Sequence, residues 1–389
     1  MNSNRAGTFK KSGTPEEPYY IFFPNPLPPQ PAIAMSDQLV SLLEKAGQAV
    51  GRLDGLSTIL PNLELFLYFY VRKEAVLSSQ IEGTQSTLSD LLLFENAETP
   101  GVPLADVREV SSYVNAIETG LSKLNTLPFS SRLIRKLHAI LLSHGRGSDQ
   151  QPGEFRTSQN LVGGSRPGNA LYVPPPPEVA VECISDLERY IHDKSKPVPT
   201  LVKAALVHVQ FQTIHPFLDG NGRIGRLLIT LLLCAEGVLQ KPLLYLSLFF
   251  KTNRAEYYRL LQAVRENGSW EDWLEFFLTG VHKTADQAVF TARSILEIFD
   301  EDHKRIESST SGGSTLKVHQ YLQRHAIMSV PSATKEIGLS LPTIRTAIAT
   351  LVELGIAKEI TGKARHQVFA YDRYLKTLND GTEPLKAAA

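Results

Sequence analysis

Helical periodicity is the feature that most constrains the fold of this chain. Segments such as LVSLLEKAGQAVGRL and LELFLYFYVRKEAVLSSQI repeat apolar residues at helical spacing and predict packed helices between residues 36 and 93. The same spacing predicts further helices over residues 106–124, 132–145, 178–193 and 200–213, and then onward to about residue 305. The sequence therefore predicts a mainly α fold.

Two stretches interrupt this helical pattern. The first 35 residues contain FFPNPLPPQPAIA, where the prolines forbid a helix and favour an extended arm lying on another surface, with disorder as the alternative. Residues 153–180, GEFRTSQNLVGGSRPGNALYVPPPPEVA, surround the β-prone piece ALYV with Gly, Pro and Asn. This second stretch predicts a β-hairpin flap between helices.

The C-terminal part has a different rhythm. SSTSGGS, residues 308–314, has the composition of a flexible linker. Residues 315–376 predict three helices and then two short β-prone runs separated by TGKARH, an order that resembles a winged helix-turn-helix with 341–354 as its recognition helix. This window holds nine Lys and Arg against four Asp and Glu, so DNA is a predicted partner, and dimerisation or packing is the alternative role.

Size and composition set the remaining bounds. At 389 residues the chain is long enough for two or three domains. We divide it into an N-terminal arm and helical region, a helical core, a linker, and a C-terminal domain with its tail, at residues 1–105, 106–307, 308–314 and 315–389.

Charge and cysteine content exclude several classes of protein. Lys plus Arg equals Asp plus Glu at 40 each, so any basic surface is local. Cys183 and Cys234 lie far apart without metal-ligand spacing, which argues against disulfides and structural zinc. The longest apolar run, LLITLLLCAEGVL, is short and is interrupted by Glu236. We therefore expect a soluble, cytoplasmic protein without a membrane partner, and a homodimer stays open.

Residues 215–226, HPFLDGNGRIGR, are the strongest candidate site. Their glycines match the spacing GxGxxG, but a dinucleotide-binding turn needs a strand before the glycines and an acidic residue well after them. The preceding LVKAALVHVQFQTI has helical periodicity, and Glu236 comes too early to be that acidic residue. GxxxxGK[ST] is absent from the sequence, which disfavours a P-loop ATPase.

The physical interpretation of this motif is an anion-binding loop between two helices. Gly220 to Gly222 curl backbone N–H groups into a nest at a helix N-terminus, where Arg223 and Arg226 oppose the helix dipole unless an anion lies between them. Asp219 suits Mg²⁺, and His215 can accept a hydroxyl proton near neutral pH. Each residue alone also fits a helix cap, a turn or a solvated face, but together they favour phosphoryl or nucleotidyl transfer.

The motif HPFLDGNGRIGR resembles, at every signature position, the HxFx[DE]GNGRxxR signature of Fic-type AMP-transferases. The resemblance implies a helical Fic core that transfers AMP from ATP to a hydroxyl side chain of a target protein. It also implies that His215 is the general base and that Asp219 holds Mg²⁺. Phe217 is expected to anchor the loop in the core.

The resemblance assigns the other motif positions to the nucleotide. Gly220, Asn221 and Gly222 would cradle its phosphates. Arg223 would bind the α/β region, and Arg226 would meet the γ-phosphate. Glycine at position 222 favours AMP transfer over phosphate transfer, because the related Doc-type kinases carry lysine there.

Two regions outside the motif also resemble this family. Residues 160–173 resemble its target-docking hairpin, whose edge would pair with an extended peptide. The segment NRAEYYRLL resembles the part that borders the nucleotide, which assigns Tyr258 to a base or ribose contact.

A second signature, [ST]xxxE[GN], occurs at Ser78, Glu82 and Gly83 in LSSQIEGTQSTL. The resemblance implies an inhibitory helix whose Glu82 reaches Arg226 and takes the place of the γ-phosphate. Spacing alone favours an ordinary helix end with a glycine cap. With the main motif in the same chain, we expect autoinhibition within the chain.

Other functions remain open beside an autoinhibited adenylyltransferase. The nucleotide site could serve as the sensor of a transcription regulator that binds DNA through residues 315–376. The same site could mainly remove AMP, with Glu82 positioning a water molecule. The sequence also leaves UTP open as the nucleotide.

Overall fold

The computed structural model describes residues 3–59, 63–95, 102–124, 126–195, 197–309, 312–362 and 366–384. Within these ranges the chain is mainly helical, which confirms the predicted fold class. The helices are α1 (Asp37–Ile59), α2 (Leu63–Ile81), α3 (Leu88–Glu95), α4 (Leu104–Leu124), α5 (Ser131–Leu141), α6 (Pro177–His192), α7 (Thr200–Ile214), α8 (Asn221–Ala235), α9 (Ser247–Thr252), α10 (Arg254–Asn267), α11 (Trp270–Glu307), α12 (Gly313–His325), α13 (Val330–Ile337), α14 (Leu341–Glu353) and α15 (Asp372–Asn379).

The strands form two small antiparallel sheets. One has the order β1-β2-β3 and the other the order β4-β6-β5. The strands are β1 (Ser3–Asn4), β2 (Gly7–Gly13), β3 (Pro18–Pro24), β4 (Ile327–Ser329), β5 (Ala357–Glu359) and β6 (Val368–Tyr371).

The central helices α7 and α8 position the candidate site. Every residue of α7 after Thr200 is buried, and so are most residues of α8, because other helices cover both on several sides. This burial explains why α7 reads as a nearly continuous apolar run instead of an amphipathic helix. The connection between the two helices is the HPFLDG part of the motif, which is thereby anchored at both ends.

The sequence predicts an extended N-terminal arm lying on another surface, and the structure shows in addition a sheet that was not predicted. Strands β2 and β3 pair along their whole length, with Phe9 opposite Phe22. Phe22 is fully buried, and its backbone N–H donates to the carbonyl oxygen of Val173 in the flap at 3.1 Å. The prediction of an extended arm rested on its prolines. Pro18 and Pro24 lie at the two ends of β3, where strands tolerate proline.

The predicted flap lies between α5 and α6. Val162 and Tyr172 form an isolated antiparallel bridge, and a short 3₁₀ turn over Pro167–Asn169 reverses the chain between them. The flap is therefore hairpin-like, but it is held by one paired position instead of a long ladder. Leu171, beside the bridge, is 78% exposed.

The C-terminal part follows the predicted order of elements. Helices α12, α13 and α14 match the three predicted helices, and β5 and β6 match the two β-prone runs. Strand β4 and helix α15 were not predicted. Residues 363–365 of the expected wing lie outside the described residues, so the winged-helix assignment stays a prediction.

No helix in the described part of the chain is long and apolar enough to cross a membrane.

Candidate active site

His215 caps the C-terminus of α7 in a left-handed conformation, with φ 51° and ψ 60°. Pro216 follows it, and proline disfavours a helical conformation in the residue before it. The guanidinium of Arg156 donates from Nε to the carbonyl oxygen of His215 at 2.9 Å, and the backbone N–H of Arg156 donates to that of Pro216 at 2.9 Å. These contacts fix the backbone at the position where the imidazole enters the site.

The imidazole of His215 is set up to accept a proton. Its Nδ1 lies 3.3 Å from the carbonyl oxygen of Gln212, so Nδ1–H donates there and Nε2 is left as the basic nitrogen. Burial lowers the pKa of His215 to about 4, against a smaller opposite effect of this hydrogen bond. The ring is therefore neutral at pH 7.

Asn221 braces the motif loop from inside. Its Oδ1 accepts from the backbone N–H of Phe217 at 3.0 Å, and its Nδ2 donates to the carbonyl oxygen of Phe217 at 2.8 Å. Because this side chain is only 2% exposed and fully engaged, its side-chain role is to shape the loop. Phe217 is fully buried, as expected, and stacks on His138 with ring centroids 3.7 Å apart.

His138 is a supporting residue that sequence reasoning missed. The backbone N–H of Gly153 donates to its Nδ1 at 2.8 Å, so Nε2 carries the proton and donates to the carbonyl oxygen of Asp219 at 2.9 Å. Burial lowers the pKa of His138 to about 4, which keeps this tautomer neutral. In the sequence, His138 is a lone histidine on an amphipathic helix, a common pattern that does not by itself indicate a functional role.

The glycines let the loop approach its neighbours closely. Gly220 has φ 79°, a left-handed conformation that favours glycine. A Cβ at Gly222 would lie 2.1 Å from Oε1 of Glu82. Glu82 is therefore pressed against the N-terminal turn of α8, directly over the predicted phosphate nest.

Arg223 is fully buried and pairs with a carboxylate that the sequence did not suggest. Its Nη1 donates to Oε1 of Glu109, on α4, at 2.7 Å. Its Nε and Nη2 have no hydrogen-bond partner in the described part of the chain. Two buried donors without a partner, on a fixed guanidinium that borders the pocket, are suited to an incoming anion.

Asp219 lies between this arginine and the solvent. Its Oδ1 is 3.6 Å from Nη2 of Arg223 and accepts from the backbone N–H of Gly220 at 2.6 Å. The side chain is 33% exposed and borders the pocket. Asp219 therefore presents an accessible carboxylate beside the loop.

Arg226 contacts both residues of the second signature. Its Nη2 donates to Oε1 of Glu82 at 2.7 Å and to the carbonyl oxygen of Ser78 at 2.9 Å, while its Nε donates to Oγ of Ser78 at 2.9 Å. Burial would raise the pKa of Glu82, but the adjacent Arg226 charge holds it below its ordinary value. Glu82 is therefore ionised at neutral pH, in a pair whose arginine side chain is 1% exposed.

The pocket brings the predicted site residues together. It is bordered by the flap at residues 160–163, by Glu82, by side chains of the motif and by α10. Tyr258 lines it and is 38% exposed, with the guanidinium carbon of Arg254 5.1 Å from its ring centroid. His215, Asp219, Gly220, Asn221, Gly222, Arg223, Arg226, Tyr258 and Glu82 all border it, and Ser78 lies behind Arg226.

Comparison with known families gives two matches. The Fic/DOC family N-terminal model matches residues 40–122, and the Fic/DOC family model matches residues 128–233. The second match contains the motif and its preceding flap.

Curated relatives carry the same name across several flies. Protein adenylyltransferase Fic of Drosophila grimshawi is 29% identical over 238 residues, which are 61% of this chain and 42% of that protein. Its counterpart in Drosophila melanogaster is 31% identical over 193 residues, which are 49% of this chain and 34% of that protein. The chain thus spans less than half the length of these relatives.

Solved structures share the fold. A Fic family protein from Desulfovibrio desulfuricans matches with a TM-score of 0.57 at 20% identity, over 87% of this chain and 97% of that one. A Fic domain containing signaling protein from Bacteroides thetaiotaomicron matches with a TM-score of 0.50 at 21% identity, over 66% of this chain and 97% of that one. The two family matches and the named relatives show that the chain belongs to the Fic/DOC family, and these solved structures share its fold.

Proposed function

We propose that this protein is an adenylyltransferase that transfers AMP from ATP to a Ser, Thr or Tyr hydroxyl of target proteins and of itself. The observation that carries the proposal is the neutral imidazole of His215 in one pocket with the N-terminus of α8 and two buried guanidinium groups. A proton acceptor beside a polyanion site is what transfer to a hydroxyl requires. The relatives named adenylyltransferases support the same reaction class.

The proposed step moves one bond and one proton. The acceptor oxygen bonds to the α-phosphorus, the bond from that phosphorus to the bridging oxygen breaks, and diphosphate leaves. The hydroxyl proton goes to Nε2 of His215. Arg223 and the backbone N–H groups of the loop from Gly220 to Gly222 would stabilise the charge that develops on the phosphate oxygens.

Mg²⁺ fits the donor set of the pocket. This ion takes one or two protein carboxylates and completes its shell with water and phosphate oxygens, and Asp219 offers one partly exposed carboxylate beside the loop. When bound, Mg²⁺ would neutralise charge on the phosphates. Asp219 is the residue that would hold it.

We include autoinhibition by Glu82 in the proposed function. Its carboxylate pairs with Arg226, which the γ-phosphate would otherwise meet, and it lies over Gly222. ATP must displace it to place all three phosphates in the nest. Ser78 supports the pair by accepting from Arg226.

A second candidate function is DNA binding through residues 315–376. The observation that favours it is the face of α14, where Arg345 and Thr346 are exposed beside the buried Ile344. Such a face could enter a major groove while nearby basic residues meet phosphates. Salt-dependent, sequence-selective binding to duplex DNA would support this role.

Mass spectrometry after incubation tests the reaction class. Purified protein, the Glu82→Gly variant and Glu82→Gly with His215→Ala are each incubated with ATP and Mg²⁺, and in parallel with UTP. We expect Glu82→Gly to gain the mass of AMP at a hydroxyl residue and the double variant to gain none while it still binds ATP. A mass gain of phosphate alone, or no gain in Glu82→Gly, would contradict the proposal.

The reverse reaction is tested with the product of this incubation. Purified AMP-modified protein is mixed with wild type or with Glu82→Gly, without ATP. Faster loss of AMP with wild type would favour removal of AMP as the main activity, with Glu82 positioning water.

A further inference from the structure

The C-terminal segment that follows α15 lies against the helix that carries Glu82. Helix α15 begins directly after β6 and packs on α2, where the ring of Tyr374 is edge-on to Phe69 at a centroid distance of 5.4 Å. Asn379, at the end of α15, then donates from Nδ2 to Oγ of Ser89 in α3 at 2.9 Å. The last described residues, 379–384, therefore reach the end of the candidate inhibitory helix.

Gln80 joins three parts of the chain at this point. Its Nε2 donates to the carbonyl oxygen of Ser86, in the loop after α2, at 2.8 Å and to that of Thr382 at 2.7 Å. Gln80 is 1% exposed and Thr382 is 2% exposed, so both hydrogen bonds are shielded from water. Because Gln80 is two residues before Glu82, these bonds fix the helix end from which the carboxylate projects.

Lys251 also binds this segment, and Lys73 lies near its acidic side chains. The Nζ of Lys251, on α9, donates to the carbonyl oxygen of Gly381 at 2.9 Å and also to that of Glu383. Burial lowers the pKa of Lys73, on α2, to about 8, and the nearby carboxylates of Asp380 and Glu383 oppose this shift. Main-chain oxygens of the segment thus accept hydrogen bonds from Lys251, and its acidic side chains lie near the positive charge of Lys73.

We propose that residues 379–384 are a clamp that keeps the C-terminal end of α2 where Glu82 reaches Arg226. Displacing this clamp would leave a buried amide donor of Gln80 unpaired and would free the helix end to move away from the phosphate nest. Because α15 continues directly from β6, a ligand that shifts the C-terminal sheet would pull on the clamp. This inference rests on the proposed autoinhibited transfer and names its regulation.

The test uses two full-length clamp variants, each with a matched control. Gln80→Leu removes the buried amide, and Gln48→Leu makes the same change at an exposed position on α1. Lys251→Met removes the ammonium that binds the segment, and Lys283→Met does so at an exposed position on α11. Each change is made in the wild type and in the Glu82→Gly background, and thermal melting confirms that each variant is folded.

The readout is the initial rate at which the chain labels itself with AMP from ATP. We expect each clamp variant to label about tenfold faster than the wild type, the factor that follows from losing one hydrogen bond of about 1.4 kcal/mol between the clamp and the rest of the protein. The controls should match the wild type, and no clamp change should add to the rate of Glu82→Gly.

Two outcomes would overturn the clamp while leaving the proposed function standing. In one, Glu82→Gly labels fast but neither clamp variant exceeds the wild type. In the other, the clamp variants accelerate the wild type and Glu82→Gly by the same factor, which would mean that they act elsewhere than on the inhibitory helix. Absence of labelling in Glu82→Gly itself would instead overturn the proposed function, and the clamp with it.

Discussion

Removal of the Glu82 carboxylate is the perturbation with the sharpest expected effect. The carboxylate makes a charged hydrogen bond of 2.7 Å to Arg226, whose side chain is 1% exposed. A hydrogen bond to a charged group contributes about 1.5–3 kcal/mol, which corresponds to a factor of about 10 to 100 in an equilibrium. Since ATP must break this bond to reach Arg226, we expect Glu82→Gly to raise the transfer rate by about 10- to 100-fold at ATP concentrations below saturation.

A second substitution separates charge from bulk. Glu82→Gln keeps the size of the side chain and removes its charge. Oε1 of Glu82 lies only 2.1 Å from the position that a Cβ on Gly222 would take. A neutral side chain of the same size would therefore still crowd the nest. We therefore expect Glu82→Gln to give a rate between those of the wild type and Glu82→Gly.

The assay is transfer of label from α-labelled ATP to the protein, measured as initial rate against ATP concentration. The expected gain lies mainly in a lower KM for ATP, because the carboxylate competes with the γ-phosphate for one arginine. Equal rates for wild type and Glu82→Gly at every ATP concentration would refute the competition. A Glu82→Gln variant as slow as the wild type would show that bulk, and not charge, is the obstacle.

Three further predictions concern single titratable groups. Because burial lowers the pKa of His215 to about 4 and the base acts when deprotonated, the rate of Glu82→Gly at saturating ATP should stay level from pH 8 to about 6, and a fall centred near pH 6.5 would contradict this. Asp219→Asn should lower the Mg²⁺-dependent rate by more than about tenfold and leave the thermal midpoint without nucleotide within a few degrees, as followed by calorimetry. Burial raises the pKa of Glu74 to about 7, so its folded form favours the proton and stability is lost as pH rises through 7. The free energy of unfolding of Glu74→Gln minus that of the wild type should therefore increase by about 2–3 kcal/mol from pH 5 to pH 8, as measured by denaturant titration at both pH values.

Local patterns in the sequence were enough to predict that the motif HPFLDGNGRIGR forms a loop between two helices. His215 and Asp219 lie on a connection between two strongly periodic helices, and a dense run of Gly and Arg after them has few structural roles. The pairing of Glu82 with Arg226 also followed from a short signature, even though these residues are far apart in the chain. In both cases the prediction came from residues that stand at a fixed spacing in the sequence.

Contacts between distant segments could not be read in the same way. Glu109 is one of many carboxylates on an amphipathic helix, and nothing local shows that it meets Arg223. Gln80 likewise meets a main-chain carbonyl at Thr382, and a main-chain acceptor leaves no trace in the sequence. The N-terminal sheet was not predicted for another reason. The prolines were taken to indicate an unpaired extended arm, although strands tolerate proline at their ends.

The two arginines of α8 each pair with one carboxylate, and the surroundings of the two carboxylates differ. Positive charge is unfavourable at a helix N-terminus, and the structure compensates Arg223 with Glu109 and Arg226 with Glu82. Glu109 is 3% exposed and comes from the interior of α4, so moving it would strand a charge in the core. Glu82 is 27% exposed and follows the last residue of α2, so moving it into water would cost less than moving Glu109. In the proposed function, ATP entering the pocket would therefore displace Glu82 and retain Glu109, and the end of α2 would be the part of the site that moves.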